Sequence, residues 1–167
     1  MTYYDKYRYL TTLDAVEDEE NWWLAGFEVN GIFSISKKDK VVHFHKKSES
    51  ADCLVRRYRY TFIHKDKIYF LPMFSRNIEV YDIKSRMFSV IKIPGDRSKV
   101  YGTIGYKVND KYIYLFPAFC DEIPVRIDTD TMVCELVCAE WTDIAIRYTK
   151  DKKWFICNMA EVNEDIW

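Results

Sequence analysis

The sequence predicts an all-β protein built from copies of one four-stranded antiparallel unit. Three observations predict it. First, the stretch 67–88 (KIYFLPMFSRNIEVYDIKSRMF) is echoed by 111–133 (KYIYLFPAFCDEIPVRIDTDTMV). Pro72 and Pro117, Phe74 and Phe119, Val80 and Val125, and Met87 and Met132 all stand 45 residues apart. A repeat of that length is the size of one four-stranded propeller blade. Second, aromatic residues make up 17% of the chain, with 13 Tyr and 10 Phe, and flat rings suit a pleated surface. Third, short apolar runs alternate with tight polar turns, and no helix-period stretch interrupts them. The predicted architecture is a β-propeller-like arc of four-stranded antiparallel blades, a partial propeller.

The second unit sets the pattern. Residues 58–64 (YRYTFIH) form its first strand, Lys65-Asp66 a tight turn, and 67–72 a strongly apolar second strand. A loop at 73–76 leads to a third strand at 77–83, where Ile78, Val80 and Asp82 alternate with Glu79 and Tyr81. After a turn at 84–86 comes a fourth strand at 87–93, closed by Pro94-Gly95-Asp96.

The third unit repeats the plan at 101–108, 112–117, 123–127 and 132–137, with Asp128–Thr131 as a polar hairpin. Stepping back from the second unit gives the first, with strands expected at 7–13, 22–25, 31–36 and 41–45. Within it, Asp14–Asn21 (DAVEDEEN) reads as a solvated loop. The stretch 46–52 reads as a connector. At the C-terminus, 143–149 and 154–158 look like the first two strands of a further unit. The expected organisation is therefore one repeat domain over 1–167, with blades at about 7–50, 57–94 and 101–138 and a partial unit at 143–167.

Composition bounds function. The chain has 167 residues, with 49% apolar and 31% charged, enough for a real core. Its 25 basic and 26 acidic residues give a formal net charge of −1. That balance carries no footprint for nucleic acid and no polybasic membrane anchor. No secretory leader pattern opens the sequence and no long apolar span crosses it. A cytoplasmic setting is expected. Five cysteines, with no CxxC pair, read as reduced thiols packed in strands.

The aromatic strand, the proline, the loop and then Asn77-Ile78-Glu79-Val80-Tyr81-Asp82 resemble kelch-type and related bacterial β-propeller repeats. Asn30-Gly31-Ile32-Phe33-Ser34-Ile35 looks like another copy of the same third strand. The resemblance covers nearly the whole chain. It departs from the kelch pattern in having no Gly-Gly pair, and from WD40 repeats in having no Trp-Asp dipeptide. It implies a propeller fold and no particular activity.

An arc of three and a half blades would expose apolar end faces and unpaired strand edges. Three arrangements would resolve this: a longer gene product, a homodimer in which two arcs complete one propeller, or an arc curled into an open sheet stack or barrel.

In a propeller, the loops between second and third strands gather at one mouth of the channel, where binding groups are held by a rigid scaffold. Those loops offer Phe27, Phe74 and Phe119 as apolar anchors and Arg76, Asn77, Asp121 and Glu122 as polar groups. Aromatics beside carboxylates, an amide and a guanidinium suit a glycan or a peptide. The competing reading is that the three phenylalanines pack between blades. Trp22-Trp23 place two indoles on opposite faces of one strand, one of them in the core. His43 and His45 share a strand face, but a metal needs a third ligand and His64 belongs to another unit. No metal or cofactor is therefore expected.

No phosphate loop, GxSxG or HExxH motif occurs. The first functional reading is a non-catalytic binding module that presents a loop-built surface to a protein, peptide or glycan. The alternative is a carbohydrate-active hydrolase, lyase or epimerase, with its carboxylates assembled at the mouth.

Overall fold

The computed structural model describes residues 10–26, 30–47, 58–96, 100–118 and 122–137, together with the backbone of 161–162 and 165–166. Among these residues every regular element is a strand. The first sheet is β1 (Ala15–Glu17), β2 (Asn21–Ala25), β3 (Gly31–Ser36) and β4 (Val42–Lys47). The second is β5 (Tyr58–His64), β6 (Lys67–Pro72), β7 (Asn77–Asp82) and β8 (Met87–Lys92). The third is β9 (Thr103–Val108), β10 (Tyr112–Pro117), β11 (Val125–Asp128) and β12 (Cys134–Leu136). A short ladder joins β13 (Glu161–Val162) to β14 (Asp165–Ile166). Each four-stranded sheet is a meander in simple sequence order, as expected when tight turns join consecutive antiparallel strands. The chain forms two compact units, Met1–Val90 and Ile91–Trp167.

The hairpin between third and fourth strands is the most regular feature of the repeat. Lys40, Arg86 and Met132, spaced 46 residues apart, all take left-handed backbone with φ of 63°, 58° and 59°. Each donates its N–H to a carbonyl four residues back, on Ser36, Asp82 and Asp128. Asp82 Oδ1 accepts the Ser85 N–H at 2.8 Å, and Asp128 Oδ1 accepts that of Thr131 at 2.9 Å. Side-chain acceptors of this kind favour turns because they satisfy backbone donors locally.

This geometry corrects the sequence alignment by one residue. Phe70 pairs with Glu79, whereas Leu115 pairs with Val125. The loop before β11 is thus one residue longer than the loop before β7. Val80 is equivalent to Arg126, not Val125, and Arg86 rather than Met87 matches Met132. Pro72 and Pro117 do correspond. Each ends a second strand beside a register shift in the first strand, where the missing proline N–H interrupts the ladder.

The first strand of the first blade is a second correction. The described part of the expected strand, 10–13, is not a strand. The strand is β1, inside the acidic segment read as a loop. Val16 pairs with Trp23 and packs against the core, which outweighs the charge of its neighbours. Asp14 Oδ2 also accepts the Thr61 N–H at 2.8 Å, tying β1 to the second sheet.

Within the first unit the two sheets pack face to face. Trp23, Ala25 and Ile32 of the first meet Ile68, Phe70 and Tyr81 of the second. Alternation explains the match. Trp23 lies on one face of β2 with Ala25, while Ile68 and Phe70 lie on the opposite face of the equivalent strand β6. Burying such side chains stabilises by about 1.5–3 kcal/mol each. One charged pair interrupts this apolar layer. Glu79 has no exposed surface, and Lys46 Nζ lies 2.8 Å from its Oε2.

The second unit buries Tyr101, Ile113, Leu115, Val125 and Ile127. The Tyr101 hydroxyl donates toward the Leu115 carbonyl at 3.2 Å.

Candidate functional site: an aromatic cleft in the first unit

The turns β1–β2, β5–β6 and β7–β8 close one end of their sheets, and the β2–β3 and β6–β7 loops close the other. A cleft of about 950 Å³ opens at the first of these ends, lined by residues of both sheets of the first unit.

Its floor is aromatic. Trp23 stacks on His45 with ring centroids 4.7 Å apart and meets Tyr81 at 4.4 Å; Tyr81 meets Phe88 at 4.8 Å. Such offset contacts hold the rings in fixed orientations. Trp23 is oriented further by Asp18, whose Oδ2 accepts the indole N–H at 2.6 Å. Asp18 Oδ1 accepts the backbone N–H groups of Glu20 and Asn21. The acidic segment thus folds into a wall that fixes the floor.

The walls are charged. Glu19, Glu20 and Asp66 contribute carboxylates, and Lys84 and Arg86 contribute cations. Lys84 Nζ lies 2.6 Å from Asp66 Oδ2, and the bond to Asp66 raises the lysine's pKa. Burial raises that of Tyr81.

His43 and His45 both line the cleft. A register shift between Ile32 and Phe33 rotates this part of β4, a common device for re-aiming side chains. Ser34 Oγ and His45 Nε2 are 2.8 Å apart. Partial burial, then the neighbouring His43, lowers the pKa of His45, so the imidazole is held toward its neutral form. Ser34 is buried, and no carboxylate bonds His45 among the described residues. The pair therefore orients the ring and lacks the third group of a nucleophilic triad. No cluster of three metal-ligating side chains occurs among the described residues. Cys134, in the other unit, is pushed up to about 12 by burial, which makes it a poor nucleophile at neutral pH.

The residues expected at the propeller mouth are placed as follows. Phe74 and Arg76 lie in the β6–β7 loop and Asn77 opens β7, and all three are half-buried; the Asn77 N–H donates to Ser75 Oγ at 3.0 Å. Glu122 is buried just before β11, in the other unit. Phe27, Phe119 and Asp121 lie outside the described residues. The cleft is at the opposite end of the blades from Phe74, and sequence reasoning missed it. Its signals were present: Trp23 on the core face, paired histidines at i and i+2, and an acidic run long enough to build a wall.

No protein-family model matches the sequence, and no curated protein matches it. Solved structures do match in fold. The extracellular domain of a protein described as a one-component system from B. thetaiotaomicron superposes with a TM-score of 0.61 at 11% identity, over 90% of this chain and 18% of that one. Virginiamycin B lyase from Staphylococcus aureus gives 0.58 at 15% identity, over 74% and 40%. The extracellular domain of a B. thetaiotaomicron hybrid two-component system gives 0.58 at 11%, over 90% and 20%. The chain therefore spans only 18% to 40% of the length of these structures. At such identities the likeness shows the fold alone. This is an all-β protein of β-propeller type, with four-stranded antiparallel blades.

Proposed function

We propose that the chain is a non-catalytic binding module of propeller type that takes a peptide or glycan segment in the cleft of its first unit. The carrying observation is the cleft itself, an aromatic floor of Trp23, Tyr81 and Phe88 between charged walls. Apolar pockets with a few convergent polar groups are the usual form of such sites. Extracellular domains of one- and two-component systems among the similar structures support a receptor-like role. A kelch-like relationship, drawn from Asn30–Ile35 and Asn77–Asp82, belongs to the same proposal.

The test is a peptide and glycan array, followed by titration of any hit while Trp fluorescence is read. Phe88→Ala and Glu20→Gln should each weaken binding about tenfold, the scale of one lost contact worth about 1.4 kcal/mol. A hit whose affinity neither substitution changes would place the ligand elsewhere. Turnover of a hit would overturn the non-catalytic reading.

The enzymatic alternative rests on Glu122, a buried carboxylate in the loop before β11. It requires Glu122→Gln to abolish turnover of a sugar substrate with the melting temperature unchanged. Equal rates in wild type and variant would remove it.

A further inference from the structure

The outer face of the first sheet repeats a face that is covered elsewhere in the same unit. Trp22, Leu24 and Ile35 occupy the positions that Ile68, Phe70 and Tyr81 hold in the second sheet, because Asn21 pairs with Ser36 as Lys67 pairs with Asp82. In the second sheet that face packs against the first. In the first sheet it is still apolar, and although Leu24 is buried, Val42 is 54% exposed and Trp22 and Ile35 are only half-buried.

The kind of surface that covers such a face is also known from this chain: the Trp23 side of a blade. Three sheets carry that side. In the first it is covered by the second sheet. In the second it holds Tyr69, Leu71 and Val80, which are at most 1% exposed. In the third it holds Tyr112, Tyr114 and Arg126, all half-buried. Arg126 lies over the Tyr112 ring at 4.8 Å and donates to Glu135 at 2.7 Å. Tyrosine and arginine are the residue types that anchor protein interfaces.

We propose that the Trp22–Val42 face of the first sheet docks a second copy of this chain through the Tyr112–Tyr114 face of that copy's third sheet. The two patches differ, so the contact is head-to-tail: it closes into a ring or continues to a third copy.

Light scattering on a sizing column across a concentration series tests this with the full chain. Wild type should rise from one chain mass toward two or more. Val42→Asp and Tyr114→Asp should each remain at one chain mass. Their equimolar mixture should regain two chain masses and stop there, because one intact contact remains. Circular dichroism checks each variant's fold, and Val42→Lys replaces Val42→Asp if that variant unfolds. Wild type at one chain mass throughout would overturn the proposal. So would a Tyr114→Asp variant that still associates, or a mixture that does not.

Discussion

Lys46 Nζ lies 2.8 Å from Oε2 of Glu79, a carboxylate with no exposed surface, and the pair joins β4 of one sheet to β7 of the next. Lys46 also sits over the Phe88 ring at 5.4 Å. The next blade uses Val125 at the position of Glu79, so the fold itself does not need a charge there.

Glu79→Ala should therefore destabilise the chain by as much as about 3–5 kcal/mol, because it removes the buried carboxylate that faces the Lys46 ammonium in an apolar layer. The double replacement Glu79→Val with Lys46→Met should cost far less, since a buried pair exchanged for apolar groups is often nearly neutral. Urea denaturation of the two variants compares them directly. A double variant as unstable as Glu79→Ala would mean that the pair contributes more than it costs to desolvate.

Phe70 and Leu115 are both fully buried at mid-blade, as their places in the second strands predict. Phe70→Ala should cost about 3–5 kcal/mol and Leu115→Ala about 2–5 kcal/mol, through lost burial plus the cavity left behind. A near-neutral result at either position, in the same urea experiment, would contradict the register of that strand.

His45 sets a pH dependence. Its pKa in the fold is below the ordinary 6.5, chiefly through partial burial. Above 6.5 the ring is neutral folded or unfolded and costs nothing. As pH falls below 6.5 the unfolded chain takes up the proton first, so the folded state loses relative stability. The melting temperature should fall over that window, and His45→Gln should fall less steeply. Identical slopes in the two proteins would assign the acid sensitivity to other groups. Ligand binding in the cleft should weaken over the same window if it needs the neutral ring.

The β5–β6 turn carries left-handed backbone at two ordinary residues, Lys65 (φ 47°) and Asp66 (φ 58°). Asn-Gly is the preferred pair for such a two-residue hairpin. Lys65→Asn combined with Asp66→Gly should stabilise the chain by on the order of 1 kcal/mol, the scale of left-handed strain in residues with a side chain. The loss of the exposed Lys84–Asp66 pair should subtract little. A lower urea midpoint would show that this ion pair matters more than the strain.

Much of the fold was legible before any coordinates, because a strand announces itself locally. Alternation put Trp23 and Trp22 on opposite faces, and the prolines marked the ends of second strands. The misreadings share one cause. β1 hides in DAVEDEEN because a three-residue strand has too few side chains to show a period, and only Val16 against the core reveals it. The alignment slipped at Val80 and Val125 because one extra loop residue leaves composition unchanged, while hydrogen-bond pairing registers it at once.

The sequence by itself determined the repeat, the all-β class and the blade plan, since these depend on periods of two residues and turn chemistry along the chain. Only the tertiary structure decided what lies between sheets. It brought Asp18, His45 and Arg86 to one cleft, set Lys46 against Glu79, and left Val42 open. Those outcomes depend on which faces meet across tens of residues, and a one-residue bulge in β4 changes the answer with no visible mark in the sequence.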